Sequence, residues 1–225
     1  MGDAREWPFD AVIFDMDGLL LDTERLGIGA WAKAVRDCGY VVEDSVWHSL
    51  IGHDLTAVER ALRDCCGPAL SFHDVLVACD TRYREAVFNS PTLLKPGARE
   101  LLDRLHILNI PCALATSSGR MVVEYCIDAA QVSDRFSVIV VREDVAARKP
   151  APDVFLLAAD RLGVDPRRCV VLEDSAAGVE AAVAAEMRVF LVPDLQSPSD
   201  HVRRLAAAVL PSLHEVAVHL GVTGS

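Results

Sequence analysis

The sequence predicts an α/β fold: a parallel sheet wrapped by helices on both faces, with a small α-helical domain inserted after the first strand. Three observations predict it. Short apolar runs rich in β-branched residues alternate with helical stretches along most of the chain. The runs are apolar throughout rather than at every second residue, as strands covered on both faces must be. One interval, residues 24–90, carries helical patterns and no good strand. Alternation of strand and helix itself implies parallel strands joined by crossover helices.

Taken in order, Asp10 to Asp15 reads as the first buried strand. The insert follows, with helical patterns over Glu24 to Cys38, Glu43 to Ile51, Leu55 to Cys66 and Phe72 to Phe88. The alternation then resumes with a helix from Gly97 to Leu108, a strand from Ile110 to Thr116 and a helix from Ser118 to Gln131. A strand from Phe136 to Val141, a helix from Ala151 to Gly163 and a strand from Arg168 to Glu173 come next. A helix from Ser175 to Glu186 and a strand from Arg188 to Val192 complete the pattern. Pro96-Gly97, Pro152 and Pro166 mark boundaries, because proline starts helices and cannot continue them. The expected division is a core of residues 1–23 and 91–225 around a helical domain of residues 24–90, with hinges near 19–23 and 90–94.

The chain has 225 residues, enough for one large domain or one domain with an insertion. Hydrophobic residues are 52% and charged ones 24%, which rules out a disordered chain. Twenty-two basic against 33 acidic residues give a net charge of −11. Such a surface repels nucleic acid and anionic membranes, so neither is expected as a partner. A phosphorylated small molecule is not excluded, because local groups and a metal can reverse the sign inside a cleft. No apolar run approaches the ~20 residues that span a bilayer, and the first ten residues lack a signal peptide's apolar stretch. A cytoplasmic protein is expected, and a monomer. The seven cysteines are odd in number and lack zinc spacing. They read as small buried hydrophobes in a reducing compartment.

Four segments carry chemistry. Asp15-Met16-Asp17-Gly18 follows the first strand directly. Strand ends of open α/β sheets face the ligand crevice, and Gly18 lets the chain turn there. Asp15 can act as a nucleophile with Asp17 beside it as general acid and base. Asp-x-Asp-Gly also opens calcium loops, but here positions five and twelve, counted from Asp15, are Leu19 and Leu26, so the calcium pattern fails. Thr116-Ser117-Ser118-Gly119 places hydroxyls between a strand and a helix N-terminus, an arrangement that binds anions and equally serves as an ordinary cap. Lys149 precedes a proline-started helix, in a chain with three lysines and nineteen arginines. Asp153 there either orients Lys149 or is simply a first-turn acid. Last, Glu173-Asp174 ends an apolar strand, where two acids repel unless a cation or buried partner sits with them.

Together and in this order, the four segments resemble the haloacid dehalogenase superfamily of phosphohydrolases, over residues 10–193. The resemblance implies a Rossmann-like core with the strands ending at Asp15, Thr116 and Asp174 side by side, and a small helical cap. It implies that Asp15 attacks phosphorus to form an aspartyl-phosphate, and that Asp17 protonates the leaving alcohol and then activates water. Thr116 and Lys149 would hold phosphoryl oxygens. Asp15, the Asp17 carbonyl and Asp174 would bind Mg²⁺, with Glu173 in the same metal set, behind the ligands or reaching the ion through water. Gly18, Ser117, Ser118, Glu24 and His53 are expected at the substrate, although Glu24 is also a plain first-turn acid and His53 a plain loop residue. The chemistry is coherent: a carboxylate attacking a phosphate dianion meets like-charge repulsion, which Mg²⁺ and a lysine offset.

Within the family, Asp17 favours phosphoryl transfer over dehalogenation. The stretch from Asp15 to Glu24, with Lys149 to Asp153 and Val192-Pro193-Asp194, is similar to pseudouridine 5′-phosphatase-like and sugar-phosphate phosphatase members, within the β-phosphoglucomutase/pseudouridine 5′-phosphatase-like subfamily. A sugar-phosphate mutase is the rival. Such mutases hold the distal phosphate with a cap arginine and a later cap lysine, whereas Gly52-His53-Asp54-Leu55 has no arginine and the only cap lysine is Lys33. The reading is therefore a Mg²⁺-dependent phosphatase of a small phosphorylated metabolite, a sugar phosphate or nucleotide-like monophosphate. A non-enzymatic phospho-ligand sensor or scaffold is the remaining alternative.

Overall fold

The computed structural model describes residues 8–50 and 55–223. Asp22–Leu93 forms one compact unit, and the described residues on either side of it form the other.

The second of these is the sheet unit. Its strands are β1 (Ala11–Phe14), β2 (Cys112–Ala115), β3 (Val138–Val140), β4 (Cys169–Glu173), β5 (Arg188–Leu191) and β6 (Ala208–Val209). All pair in parallel, in the order β3-β2-β1-β4-β5-β6. β1, β2 and β4 are buried at every residue, which accounts for their unbroken apolar runs. Alternate side chains feed two faces. Ala11, Ile13, Ala113, Ala115, Val171 and Val189 meet α7 (Asp153–Leu162) and α8 (Ala176–Ala184) through Phe155, Ala158, Val179 and Ala182. On the other face Phe14 meets the edge of Phe136, and Phe190 that of His219. A fully buried Phe or Ile side chain contributes about 1.5–3 kcal/mol, so this double layer dominates the stability of the unit.

The helical unit contains α1 (Thr23–Asp37), α2 (Asp44–Ser49), α3 (Leu55–Cys66) and α4 (Phe72–Phe88). Ala30 and Ala34, one turn apart on α1, join Trp47, Val58, Leu62, Leu70, Val75 and Cys79 in a separate apolar core. Trp31 stacks on Phe72 with ring centroids 6.1 Å apart. The Ser71 hydroxyl caps α4 by accepting from the Asp74 N–H.

Three features differ from the sequence reading. The helix expected from Ser118 begins at Arg120, because Thr116 to Gly119 bends at the end of β2 before α6 (Arg120–Ala129) starts. Beyond Val192 the chain adds α9 (Asp200–Leu205), β6 and α10 (Leu213–His219), none of which was anticipated. A two-residue strand has no periodicity to read; β6 exists because it pairs with the edge of β5. The cysteines are not uniformly buried: Cys79, Cys112, Cys126 and Cys169 are, Cys38 and Cys66 are half-buried, and Cys65 is exposed. The remaining core helix, α5 (Ala98–Ile107), lies where the pattern put it. Among the described residues no helix is long and apolar enough to cross a membrane.

Candidate active site

Strand order reverses at β1, whose neighbours are β2 on one side and β4 on the other. At such a point the carboxyl ends of adjacent strands open a crevice. Register fixes what lies there. Phe14 is level with Leu114 and with Leu172, so Asp15 emerges beside Ala115 and Glu173. The Asp15 N–H still donates to the Leu172 carbonyl at 3.0 Å, and that of Thr116 to Val140 at 3.1 Å. These backbone bonds hold the site's first residues as extensions of the sheet.

Lys149 crosses to these strand ends from the loop before α7. Its ammonium donates to Asp15 Oδ1 at 2.5 Å, Glu173 Oε1 at 2.7 Å and the Ala115 carbonyl at 3.2 Å. That uses all three of its donors, and Nζ lies 4.6 Å from the centroid of the Phe155 ring. The side chains of Lys149, Asp15 and Glu173 are 6%, 9% and 1% exposed, so this is a buried ion triad. Asp153 accepts from the Ala147 N–H at 3.4 Å, bracing the loop that leads to Lys149.

Glu173 is anchored from behind. Its Oε2 accepts from the backbone N–H groups of Asp174 and Ser175, both at 2.8 Å, and from the Ser175 hydroxyl at 2.9 Å. These donors stand at the α8 N-terminus, which favours negative charge. Gly178 makes the arrangement possible: a Cβ there would stand 1.7 Å from Glu173 Oε1. Sequence reasoning missed Gly178. Its signal was a glycine three residues after the helix-capping Ser175, directly behind the paired acids.

Asp17 faces the second motif. Its Oδ2 accepts from the Ser118 hydroxyl at 2.6 Å and from the Thr116 hydroxyl at 3.3 Å, and the Thr116 oxygen accepts from the Ser118 N–H at 3.0 Å. Gly18 turns the chain with φ +80, a conformation that favours glycine, and donates its N–H to Leu21 at 2.9 Å. A Cβ on Gly18 would lie 2.2 Å from Asp174 Oδ2, so glycine is what lets Asp174 approach the first loop. Asp15, Asp17, Gly18, Thr116, Ser118, Lys149, Glu173 and Asp174 are thus brought to one place. Ser117 is exposed on the same loop. Glu24 sits half-buried in the first turn of α1, in the helical unit. His53 lies outside the described residues.

A model of the haloacid dehalogenase-like hydrolases matches residues 12–192. The chain belongs to that family. A probable pseudouridine-5′-phosphatase of Drosophila melanogaster is 35% identical over 88% of this chain and 88% of its own length. A phosphorylated carbohydrates phosphatase of Thermotoga maritima is 34% identical over 78% of this chain and 81% of its own. A crystal structure from Thermotoga maritima, named provisionally as a beta-phosphoglucomutase, is 28% identical with a TM-score of 0.83, over 94% of this chain and 98% of that one. The chain is an enzyme, a haloacid dehalogenase-like phosphatase, which sets aside the reading as a non-enzymatic sensor or scaffold.

The charge of this haloacid dehalogenase site is unbalanced. Burial pushes the Asp15 carboxyl well above its usual range; the Lys149 ammonium opposes the rise, while Glu173 and Asp17 add to it. Burial disfavours the Lys149 ammonium, but Asp15 and Glu173, by charge and hydrogen bond, together hold its pKa above the ordinary value. Asp15 and Glu173 thus share the Lys149 ammonium, while Asp17 lies against Ser118 and Thr116 and Asp174 against Gly18. Asp15, Glu173 and Asp174 each offer an oxygen, and these atoms lie within 4.8 Å of one another. Hard oxygen donors in excess of local positive charge fit Mg²⁺.

Proposed function

We propose that this phosphatase is Mg²⁺-dependent and hydrolyses a small phosphorylated metabolite, a sugar phosphate or nucleotide-like monophosphate, through an aspartyl-phosphate on Asp15. The observation that carries the reading is the Lys149 ammonium shared between Asp15 and Glu173 at the end of β1. Lys149 fixes the orientation of the Asp15 carboxylate and keeps one carboxylate oxygen engaged. Lys149 offers positive charge, and the Thr116 hydroxyl a donor, to incoming phosphoryl oxygens. Glu173, with both oxygens committed to Lys149 and to the α8 N-terminus, acts by positioning the lysine. Asp15, the Asp17 carbonyl and Asp174 would hold the cation. When bound, Mg²⁺ supplies charge that offsets repulsion between the carboxylate and the phosphate dianion.

Asp17 donates a proton to the leaving alcohol and then takes one from the attacking water, which cleaves the aspartyl-phosphate and regenerates Asp15. The Ser118 hydroxyl steers the Asp17 carboxylate before substrate arrives. Residues 24–90 act as a cap that excludes water while the phosphoenzyme forms, with substrate contacts from Glu24 and His53. A cytoplasmic location is supported by free cysteines throughout the described chain.

The test is phosphate release from p-nitrophenyl phosphate. Asp15→Asn is expected to lower turnover by roughly 10⁴-fold or more, the scale of losing a nucleophile, with the circular dichroism spectrum retained. EDTA is expected to stop the wild type, and Mg²⁺ to restore it. Near-normal turnover by the mass-verified asparagine variant would eliminate Asp15 as nucleophile. The likeness to the provisionally named mutase favours a second reading, phosphoryl transfer between sugar positions. Incubation with β-glucose 1-phosphate and a trace of glucose 1,6-bisphosphate separates the two. Glucose 6-phosphate outpacing free phosphate would select the mutase.

A further inference from the structure

A second buried ion pair lies in the sheet unit, outside the four motifs. Lys95 Nζ donates to Asp194 Oδ1 at 2.6 Å, and the two side chains are 16% and 3% exposed. Desolvating two charges costs more than a surface pair returns, so packing alone does not explain the pair. Its position is informative. Asp194 follows β5, the strand next to the one that ends at Glu173 and Asp174. A Cβ built on Gly18 would meet Asp174 Oδ2 at 2.2 Å and Asp194 Oδ2 at 3.5 Å. The two carboxylates therefore press toward the same glycine, one residue beyond Asp17. Lys95 is fastened to that loop as well: its N–H donates to the Leu20 carbonyl at 2.9 Å, and Leu94 bridges to Leu21.

We propose that Asp194, held by Lys95, is a positioning residue for the cation site. It adds negative potential beside Asp174 and sets how tightly the site takes a divalent ion. Lys95 limits that effect by neutralising part of the added charge. Neither residue ligates the ion. This inference rests on the reading of Asp15, the Asp17 carbonyl and Asp174 as Mg²⁺ ligands.

The sign of the effect makes it testable without turnover. Removing the Asp194 charge leaves Lys95 facing the site, and removing the Lys95 charge leaves Asp194 uncompensated. Mn²⁺ binding to the substrate-free full chain, followed by the electron paramagnetic resonance of the free ion, reads both. Asp194→Asn is expected to raise the Mn²⁺ Kd about tenfold, and Lys95→Met to lower it by a similar factor, for a unit charge a few ångströms away in a medium of intermediate dielectric. The double variant should return toward the wild type. A packing role alone would move both single variants in the same direction, or neither, and either outcome would overturn the proposal. Should Asp194→Asn fail to fold, Lys95→Met and Lys95→Gln carry the test, and unchanged or weakened Mn²⁺ binding in them overturns it. A wild type that binds no Mn²⁺ would overturn the metal reading itself, and this inference with it.

Discussion

The helical unit and the sheet unit use charge in opposite ways. In the helical unit, ion pairs lie mostly on the outside: Arg63 with Glu59, Arg82 with Asp37 and Arg84 with Asp80 join side chains between 38% and 59% exposed. Its core is apolar, built from Ala, Val, Leu, Trp and Cys. The sheet unit also carries surface pairs, but at the ends of β1, β4 and β5 it buries two sets, Lys149 with Asp15 and Glu173, and Lys95 with Asp194. Exposed pairs are cheap to form and contribute little. Buried ones need preorganised partners, such as the α8 N-terminus behind Glu173, and those partners are also what a catalytic site needs. Position in the fold, more than the number of pairs, separates charge that keeps a surface solvated from charge poised for chemistry.

Among the variants that test this comparison, the largest expected effect attacks its buried side. Lys149→Met leaves Asp15 and Glu173 buried together without their cation. Turnover should fall on the order of a hundredfold to a thousandfold, and stability by about 3–5 kcal/mol, read from phosphate release and from urea unfolding. A variant as stable as the wild type would mean that the triad is worth no more than a surface pair. A smaller loss is expected from Gly178→Ala, which touches no substrate. Its methyl group would displace the Glu173 carboxylate, so activity should drop through a misplaced Lys149, while overpacking costs about 1–3 kcal/mol. Unchanged turnover there would dissociate Glu173 from the lysine's role.

On the exposed side, Arg63→Ala removes a Glu59 partner one helical turn away. The unfolding midpoint should move by no more than about 0.5 kcal/mol equivalent, with turnover unaffected. A larger shift would erase the distinction between the units. The smallest effect concerns the thiols. Burial pushes Cys79 and Cys112 up to about 12 and Cys169 to about 11. A raised thiol stays protonated at pH 8, and burial also blocks access. A thiol-reactive probe on the native protein should therefore label Cys65 first, sparing these three until urea unfolds the chain. Rapid native labelling of Cys112, located by peptide mass, would show that the sheet core opens.

Much of this was legible because periodicity and motifs are local. Among the described residues, five of six strands and the four helices of the insert follow from runs of apolar residues whose spacing a single stretch of chain displays. Asp15, Asp17, Thr116, Lys149, Glu173 and Asp174 could be singled out because each stands at or near the end of a readable strand or the start of a readable helix. What was missed depends on distant neighbours. Ala208–Val209 is a strand only because β5 has an open edge beside it. Gly178 matters only because Glu173 folds back over the start of α8. Lys95 and Asp194 are 99 residues apart, and no pattern within either segment announces their contact.

The sequence alone determined the kind of fold, the order of its elements as far as β5 and the identity of the chemical groups, since these depend on hydrophobic periodicity, turn residues and side-chain chemistry. Tertiary structure alone decided the partners: that Lys149 divides itself between Asp15 and Glu173, that Ser118 reaches Asp17, and that Asp174 and Asp194 converge on Gly18. The physical reason is the parallel sheet. Its crossovers bring strand ends that are remote in sequence to neighbouring positions, and hydrogen bonds and desolvated charges act only over the few ångströms that such register sets.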